Sequence, residues 1–179
     1  GLLTHPHPSA GRLPTAAGYQ YYVAYALGDY RLTATERLAL APRSGGDVRL
    51  AVKTLAKALA ELTRGCAVVG FTPHDVYYTG IANLFGQPEF RDYQFSFSMT
   101  EVIDHLDEVM AALFTPYTQQ DKVQVLIGES NPFGAHCSAL MARWARDEAA
   151  GVLGVLGPLR MHYARNRVLL EYARQMVNG

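Results

Sequence analysis

The chain has 179 residues, of which 49% are hydrophobic and 18% charged, and its formal net charge is zero. This composition excludes an intrinsically disordered chain, and the balanced charge gives the chain as a whole no signature of a nucleic-acid binder or a polybasic membrane anchor. No apolar run approaches the roughly 20 residues that span a bilayer, so we expect a cytoplasmic protein.

The N-terminal part predicts a ribbon followed by two helices. Its prolines lack amide donors and fix φ, so residues 4–15 are expected to form a loop or a short edge ribbon. From residue 17 to 27, aromatic and apolar side chains recur every three or four positions, which predicts an amphipathic helix. Thr33 and Glu36 then match a capping box that opens a second, short helix.

The middle of the chain predicts one long helix and a pair of strands. Apolar residues from Val48 to Leu62 recur at spacings of four and three, which indicates a helix ending at Gly65. The runs CAVVGF and DVYYTG predict strands separated by a turn at residues 72–74. ANLFGQPEF predicts a short helix broken at its glycine and proline.

The C-terminal half predicts a helix, three strands and a last helix. Ser98 and Glu101 match a capping box, and the helix it opens is expected to end before Pro116. KVQVLIGE, CSALMARWA and AGVLGVLG predict strands, the last two paired antiparallel. A final helix is expected to start near Pro158, with a buried stripe of Met161, Ala164, Val168, Tyr172 and Met176. The sum is an α+β fold, in which helices cover an antiparallel sheet of about five strands.

The residues capable of catalysis do not assemble into a recognisable active site. Cys66 and Cys137 fit no metal-binding spacing, and we expect both to be buried thiols. His136 precedes Cys137, but adjacent residues of a strand face opposite sides, so a structural cysteine is favoured over a nucleophile with its base.

Histidines and carboxylates occur in two further groups. His5 and His7 lack a nearby third ligand for a metal ion. A cluster on the predicted central helix complements its apolar stripe and is expected to be a solvated face: Asp104, His105, Asp107 and Glu108. We therefore expect no metal site, no cofactor and no enzymatic activity.

The last helix carries an excess of positive charge. Its arginines outnumber its one carboxylate, and the set is Arg160, Arg165, Arg167, Arg174 and Glu171. A solvated face is the favoured interpretation, with contact to DNA phosphates as the alternative.

Four stretches together resemble a known family. They are HPHPSAGRLPTAAGYQYYV, VYYTGIANLFGQPEF, VLIGESNPFGAHCSAL and GVLGVLGPLRMHYARNRVLLEYA. In this order they are similar to successive signature blocks of HrcA, the heat-inducible transcription repressors of bacteria, and they occur at intervals from residue 5 to residue 173, with none in residues 28–65.

The resemblance implies a negative regulator of heat-shock chaperone operons that binds an inverted-repeat operator as a dimer. It further implies a winged-helix domain followed by a GAF-like domain, and the chaperonin GroEL as a partner that keeps the repressor active. On this basis the predicted division is a wing remnant at 1–17, a connecting helix and linker at 18–47, and a GAF-like regulatory and dimerisation domain at 48–179.

The resemblance also places the family's wing on the opening stretch. The family reads His-Thr-Ser-Ala-Gly-Arg there, and the matching residues include His7, Ser9, Gly11 and Arg12, while Pro8 replaces the threonine. Arg12 is then the best candidate for a DNA contact, with His7 and Ser9 as weaker phosphate neighbours and Gly11 shaping the turn.

Two departures from the family pattern affect these expectations. The recognition helix is expected to lie upstream of Gly1, and the usual dimerisation insert before Tyr77 is reduced to about a dozen residues. If the chain dimerises, the apolar stripes of the first, third and last helices are the expected pairing surfaces. The alternative is a GAF-like module for small-molecule sensing or protein interaction, with a pocket between the sheet and GIANLFGQPEF.

Overall fold

The computed structural model describes residues 1–5, 11–41, 46–129 and 131–178. Within these ranges every helix is too short or too polar to cross a membrane. The elements in chain order are β1 (Leu3–Thr4), β2 (Leu13–Pro14), α1 (Ala16–Tyr25), α2 (Ala34–Ala39), α3 (Val48–Thr63), β3 (Cys66–Thr72), β4 (Asp75–Thr79), α4 (Ile81–Phe85), a 3-10 turn (Pro88–Arg91), α5 (Tyr93–Asp104), α6 (Leu106–Thr118), β5 (Gln124–Ile127), β6 (Cys137–Arg146), β7 (Ala149–Pro158) and α7 (Tyr163–Asn178).

Five of the strands form one antiparallel sheet in the order β4-β3-β7-β6-β5. Its centre is the β6–β7 hairpin, which pairs continuously from Cys137 opposite Pro158 to Arg146 opposite Ala149. Asp147 takes a positive φ of 55° in the turn between them, a conformation that Asp tolerates better than most residues. The predicted α+β class and its antiparallel sheet of about five strands are confirmed.

Side chains of the sheet alternate between two apolar layers. On one face, Ala67 and Val69 join a core that includes buried residues of α3 and α7. On the other, Cys66 and Val68 join a core with Leu84 of α4 and residues of α5 and α6. Because successive residues of a strand point to opposite faces, a sheet covered on both sides requires the continuous apolar runs that the sequence shows.

The predicted capping box at the start of α2 is confirmed. Thr33 Oγ1 accepts from the Glu36 amide at 3.2 Å, and the Glu36 carboxylate accepts from the Thr33 amide at 2.8 Å. The helix ends at Leu40, whose side chain is completely buried in the α3 and α7 layer. The segment before α3 is therefore packed on the same core as the sheet.

The predicted helix from Ser98 to Pro116 was wrong at both ends. Asp92 caps α5 instead, since its carboxylate accepts from the Gln94 amide at 2.9 Å, and Ser98 lies inside that helix. A break at His105 separates α5 from α6, and Pro116 lies inside α6, which ends two residues later. A proline this close to a helix end removes only one hydrogen bond, so packing of the helix overrides it.

The predicted buried stripe of α7 was also wrong. Pro158 ends β7, the helix begins at Tyr163, and the fully buried side chains lie on the neighbouring face: Tyr163, Asn166, Leu169, Leu170, Ala173 and Val177. The five predicted stripe residues are only half-buried at its margin. The apolar faces of α3 and α7 both point into the core. Neither face is therefore free to pair with a second chain, although both were predicted to be pairing surfaces.

Candidate nucleic-acid interface

Two of the predicted DNA-contacting residues, Gly11 and Arg12, directly precede the second strand of a two-stranded ribbon at the N-terminus. Leu3 pairs with Pro14 and Thr4 with Leu13 in antiparallel register. Gly11 and Arg12 are exposed in the connection that enters the second strand, and a Cβ at Gly11 would touch none of the described atoms. His7 and Ser9 lie outside the described residues.

The base of the ribbon is bonded to the start of α1. The Thr15 amide donates to Leu2 O at 3.0 Å, and the Thr15 hydroxyl donates to Gly1 O at 2.9 Å. The same hydroxyl accepts from the Gly18 amide at 3.1 Å and so caps the helix. A side chain at Gly18 would overlap Leu2 O, so glycine is required for this close approach.

Helix α1 in turn lies against the body of the protein. Gln20 Nε2 donates to Ile127 O on the edge strand β5 at 2.7 Å. The Tyr19 ring lies 5.8 Å from the Tyr163 ring of α7, and burial raises the pKa of Tyr19. The Tyr163 hydroxyl is bonded to Ser138 Oγ of β6 at 2.6 Å. The ribbon therefore has a continuous path of contacts to the sheet.

The sequence analysis identified Arg12 but missed the residues that position it. Thr15 lies two residues before the predicted helix and directly before α1, at the position where a threonine acts as an N-cap. That signal was present in the sequence. Gly18 and Gln20 had no local signal, because each is explained by a neighbour distant along the chain or on another element.

The excess charge predicted for the C-terminal segment from Arg160 onward is largely neutralised within the fold. Arg160 pairs with Glu89, Arg165 Nε lies 2.7 Å from Glu36 Oε1, and Arg174 Nη2 lies 2.7 Å from Glu171 Oε1. Arg167 is exposed. Side chains held in ion pairs are poor phosphate ligands, so the geometry does not favour DNA contact by this helix.

Burial excludes Cys137 as a catalytic nucleophile. Cys137 is 1% exposed, and burial raises the pKa of its thiol to about 12. The thiolate is the nucleophile, so this cysteine is unreactive at neutral pH. His136 instead stacks on Phe95, with ring centroids 3.9 Å apart.

The cluster of Asp104, His105, Asp107 and Glu108 lies on the surface, as predicted. His105 Nδ1 lies 3.6 Å from Glu108 Oε1, and both side chains are mostly exposed. In the part of the chain that the structure describes, no three side chains are arranged to hold a metal ion.

The space predicted for a sensing pocket is occupied largely by apolar side chains. Leu84 and Phe90 are buried against the sheet, together with Met99 and Phe133. A hollow of about 260 Å³ beside Phe90 is lined mainly by aromatic and aliphatic groups. Sensing at this position required a deep pocket with converging polar groups, which the filled core does not provide.

A family model described as the HrcA protein C-terminal domain matches residues 47–166. The match begins at the N-cap of α3, includes all five strands of the sheet and ends in α7, and it covers more than half of the chain. The chain belongs to the HrcA family. Family membership confirms the resemblance drawn from the four sequence blocks.

The HrcA relatives include a longer curated protein. The heat-inducible transcription repressor HrcA of Desulforudis audaxviator (strain MP104C) is 33% identical over 140 residues, which are 70% of this chain and 40% of that protein. The chain thus spans less than half the length of this relative. A crystal structure of a hypothetical protein matches 99% of this chain and 81% of its own chain, with a TM-score of 0.70 and 13% identity. That likeness shows a shared fold.

Proposed function

We propose that this HrcA-family chain acts in negative regulation of transcription, as part of a repressor of heat-shock chaperone operons in the cytoplasm. The proposal rests on the family match over residues 47–166, which includes the whole sheet and the helix α3 that packs on it. The name of the 33% identical relative, a heat-inducible transcription repressor, supports the same function.

In this proposal the N-terminal ribbon is the wing and touches the phosphate backbone of an inverted-repeat operator. Three features support it: Arg12 is exposed, the ribbon is short with Pro14 in its second strand, and its base is bonded to the start of α1 through Thr15. Gly11 lets the loop turn without a side chain between it and the DNA. His7 and Ser9 belong to the same loop and are proposed as secondary phosphate contacts.

The test compares the purified chain with Arg12→Gln in fluorescence anisotropy. A labelled duplex carrying the inverted repeat from a chaperone operon is titrated at several salt concentrations. Loss of one charge-assisted contact is expected to weaken binding about tenfold. It should also reduce the salt slope of the binding constant by about one.

Lys57→Gln is the matched control, because Lys57 is exposed on α3 in the body of the protein. It removes the same charge and is expected to leave the salt slope unchanged. Equal losses in the two variants would mean that net charge, and not the ribbon, governs binding. A scrambled duplex in parallel measures the sequence preference, which is expected to be small, since a wing contact to phosphates carries no base information.

The proposal includes a homodimer. The apolar faces of α3 and α7 are buried in the core. Helix α1, by contrast, has no buried residue, and its Tyr21 and Tyr25 side chains are exposed. We therefore assign the pairing surface to α1. Sedimentation equilibrium of the wild type and Tyr25→Ala tests this, since the variant is expected to shift toward monomer. Unchanged association would place the interface elsewhere.

The chaperonin GroEL is the proposed protein partner, as the resemblance to HrcA implies. A chaperone supports activity where the binding-competent form is only partly populated and recovers slowly. The test is refolding of the chain from denaturant with and without GroEL and ATP. The fraction competent for DNA binding is expected to rise with the chaperonin, and no difference would remove it from the proposal.

A further inference from the structure

Helix α5 presents an apolar surface to solvent at its N-terminal half. Tyr93 is 78% exposed and Phe97 is 53% exposed, and their rings stack with centroids 6.1 Å apart. Met99 is the one fully buried residue of this helix, whereas α3 buries six. Two adjoining exposed rings, unlike a single exposed side chain, leave a patch of apolar area that contact with another surface would bury.

The same face of α5 changes from aromatic to acidic along the helix. Because residues three and four positions apart are neighbours on a helix, Tyr93, Phe97, Glu101 and Asp104 share one face. All four are exposed, whereas Met99 on the other side belongs to the core. We call this surface the α5 face; its N-terminal half is aromatic and its C-terminal half is acidic.

The charges at the two ends of α5 are the reverse of those that a helix dipole favours. Carboxylates are disfavoured near the negative, C-terminal end of a helix, yet Glu101 and Asp104 lie in the last turn of α5. At the other end, Arg91 is exposed directly before the N-cap, Asp92. The ion pairs of the described residues include none of Arg91, Glu101 and Asp104.

A second α5 that runs antiparallel supplies the missing opposite charge at each end. In a twofold pair centred on Phe97, Tyr93 of one copy lies opposite Glu101 of the other, because both are four residues from the centre. Arg91 and Asp104, six and seven residues from the centre, also fall side by side. A parallel pair would instead bring the two acidic ends together. The α5 face is therefore self-complementary in charge, as a twofold interface requires.

We propose that the α5 face binds a second copy of this chain, with the two α5 helices antiparallel and the Phe97 rings in contact at the twofold axis. A 12-residue helix is about 18 Å long, and one face of it offers less than the roughly 800 Å² per partner of a standard interface. The association is therefore weak and sensitive to salt. It is additional to the α1 pairing of the proposed function and does not rest on it.

Disulfide crosslinking tests the geometry. Phe97→Cys places a thiol of each copy at the axis, and oxidised glutathione should link them into a dimer. Leu50→Cys on α3 is the matched control, since Leu50 is 55% exposed. Cys66 and Cys137 are buried, with raised pKa values, and should stay reduced. Crosslinking of Phe97→Cys is expected to be at least about tenfold faster, because contact raises the effective concentration. Equal rates would overturn the proposal.

Charge reversal tests the identity of the partner. Arg91→Glu and Glu101→Arg are each expected to weaken self-association at least about tenfold, the loss that a charged contact explains. The double variant exchanges the two charges and should restore it. Sedimentation equilibrium measures each variant in the Tyr25→Ala background, which removes the proposed α1 pairing. Glu61→Arg, at an exposed carboxylate of α3, is the control for net charge. A double variant as weak as the single ones would refute the antiparallel pair.

The same variants separate association from folding. Glu101→Arg places a positive charge in the last turn of α5, where the helix dipole favours it, so its melting temperature should be unchanged or higher. Crosslinking of Phe97→Cys that persists with Tyr25→Ala would show that the α5 contact is independent of α1. Failure of Tyr25→Ala to reduce association would count against the α1 pairing alone. Association that no α5 variant changes would show that copies of the chain meet elsewhere and would overturn the proposal.

Discussion

The N-terminal ribbon with α1 and the sheet with α3 are held in place by different forces. Helix α1 has no buried residue, and it is attached through hydrogen bonds of Thr15 and Gln20 and through the half-buried Tyr19. Helix α3 buries six residues against the sheet. Substitutions in the sheet should therefore change global stability, whereas substitutions in the ribbon should change local order or binding.

The largest expected effect is in the sheet. Leu153 is completely buried at the centre of β7, so Leu153→Ala is expected to lower the free energy of unfolding by about 2–5 kcal/mol. Urea unfolding followed by Trp144 fluorescence measures it. Leu38→Ala makes the same substitution at a side chain that is 69% exposed and should change stability by less than about 0.5 kcal/mol. Similar losses would contradict the division between the regions.

The next largest effect on stability is expected at the ion pair between Glu36 of α2 and Arg165 of α7. Burial would raise the pKa of Glu36, but hydrogen bonds from the Thr33 amide, Arg165 and Tyr30 outweigh it and hold this pKa below its ordinary value of 4.5. Glu36→Gln leaves Arg165 without its carboxylate and is expected to cost about 1–3 kcal/mol at pH 7. Denaturant unfolding of the variant beside Glu61→Gln, an exposed carboxylate of α3, measures the difference.

The same pair predicts a dependence on pH. A carboxyl whose pKa is lowered by folding stabilises the native state above its unfolded pKa, and this contribution is lost as pH falls through the folded pKa. Wild-type stability should therefore decline below about pH 4.5, the ordinary pKa of the carboxyl. The decline should be shallower in Glu36→Gln. Parallel curves would mean that Glu36 does not contribute.

A smaller and local effect is expected at the base of the ribbon. Alanine normally favours a helix over glycine by about 1 kcal/mol, but a methyl group at Gly18 would overlap Leu2 O. Gly18→Ala should therefore loosen the ribbon and speed hydrogen exchange of the Thr15 amide about tenfold, the effect of weakening one hydrogen bond. At Gly28 a methyl group meets no atom within 4 Å, so Gly28→Ala is the control.

The smallest effect on stability is expected at the ribbon tip. Arg12 is exposed, so Arg12→Gln should change the free energy of unfolding by less than about 0.5 kcal/mol. Its DNA affinity should nevertheless fall as proposed above. A thermal melt of the variant used in the anisotropy titration checks this, and a large drop in melting temperature would show that Arg12 supports the fold.

Local patterns in the sequence were sufficient where neighbours along the chain determine structure. The capping box at Thr33 and Glu36 was predicted correctly because both partners lie within one helical turn. The β6–β7 hairpin was predictable from two apolar runs and a short turn. Arg12 was selected by resemblance to the family, and its role stays a prediction.

Other features depended on packing across the molecule. The start of α5 at Asp92 and the continuation of α6 past Pro116 were missed, because tertiary contacts outweigh a capping signal or one lost hydrogen bond. The buried face of α7 was misplaced by one position, since half-buried and buried apolar residues look alike in a sequence. Asn166 gave no signal, because only the packed structure shows that its side-chain oxygen is buried without a donor among the described residues.

By itself the sequence determined most of the secondary structure and the α+β class, because periodicity, caps and turn residues act over a few positions, and its motifs indicated the family. The tertiary structure alone decided which arginines of the C-terminal segment are neutralised and that Gly18 allows the ribbon to lie close to α1. It also decided that the side-chain oxygen of Asn166 is buried without a donor among the described residues. These features join residues up to 129 positions apart, as Glu36 and Arg165 are, and their energies depend on burial and distance that no local pattern contains.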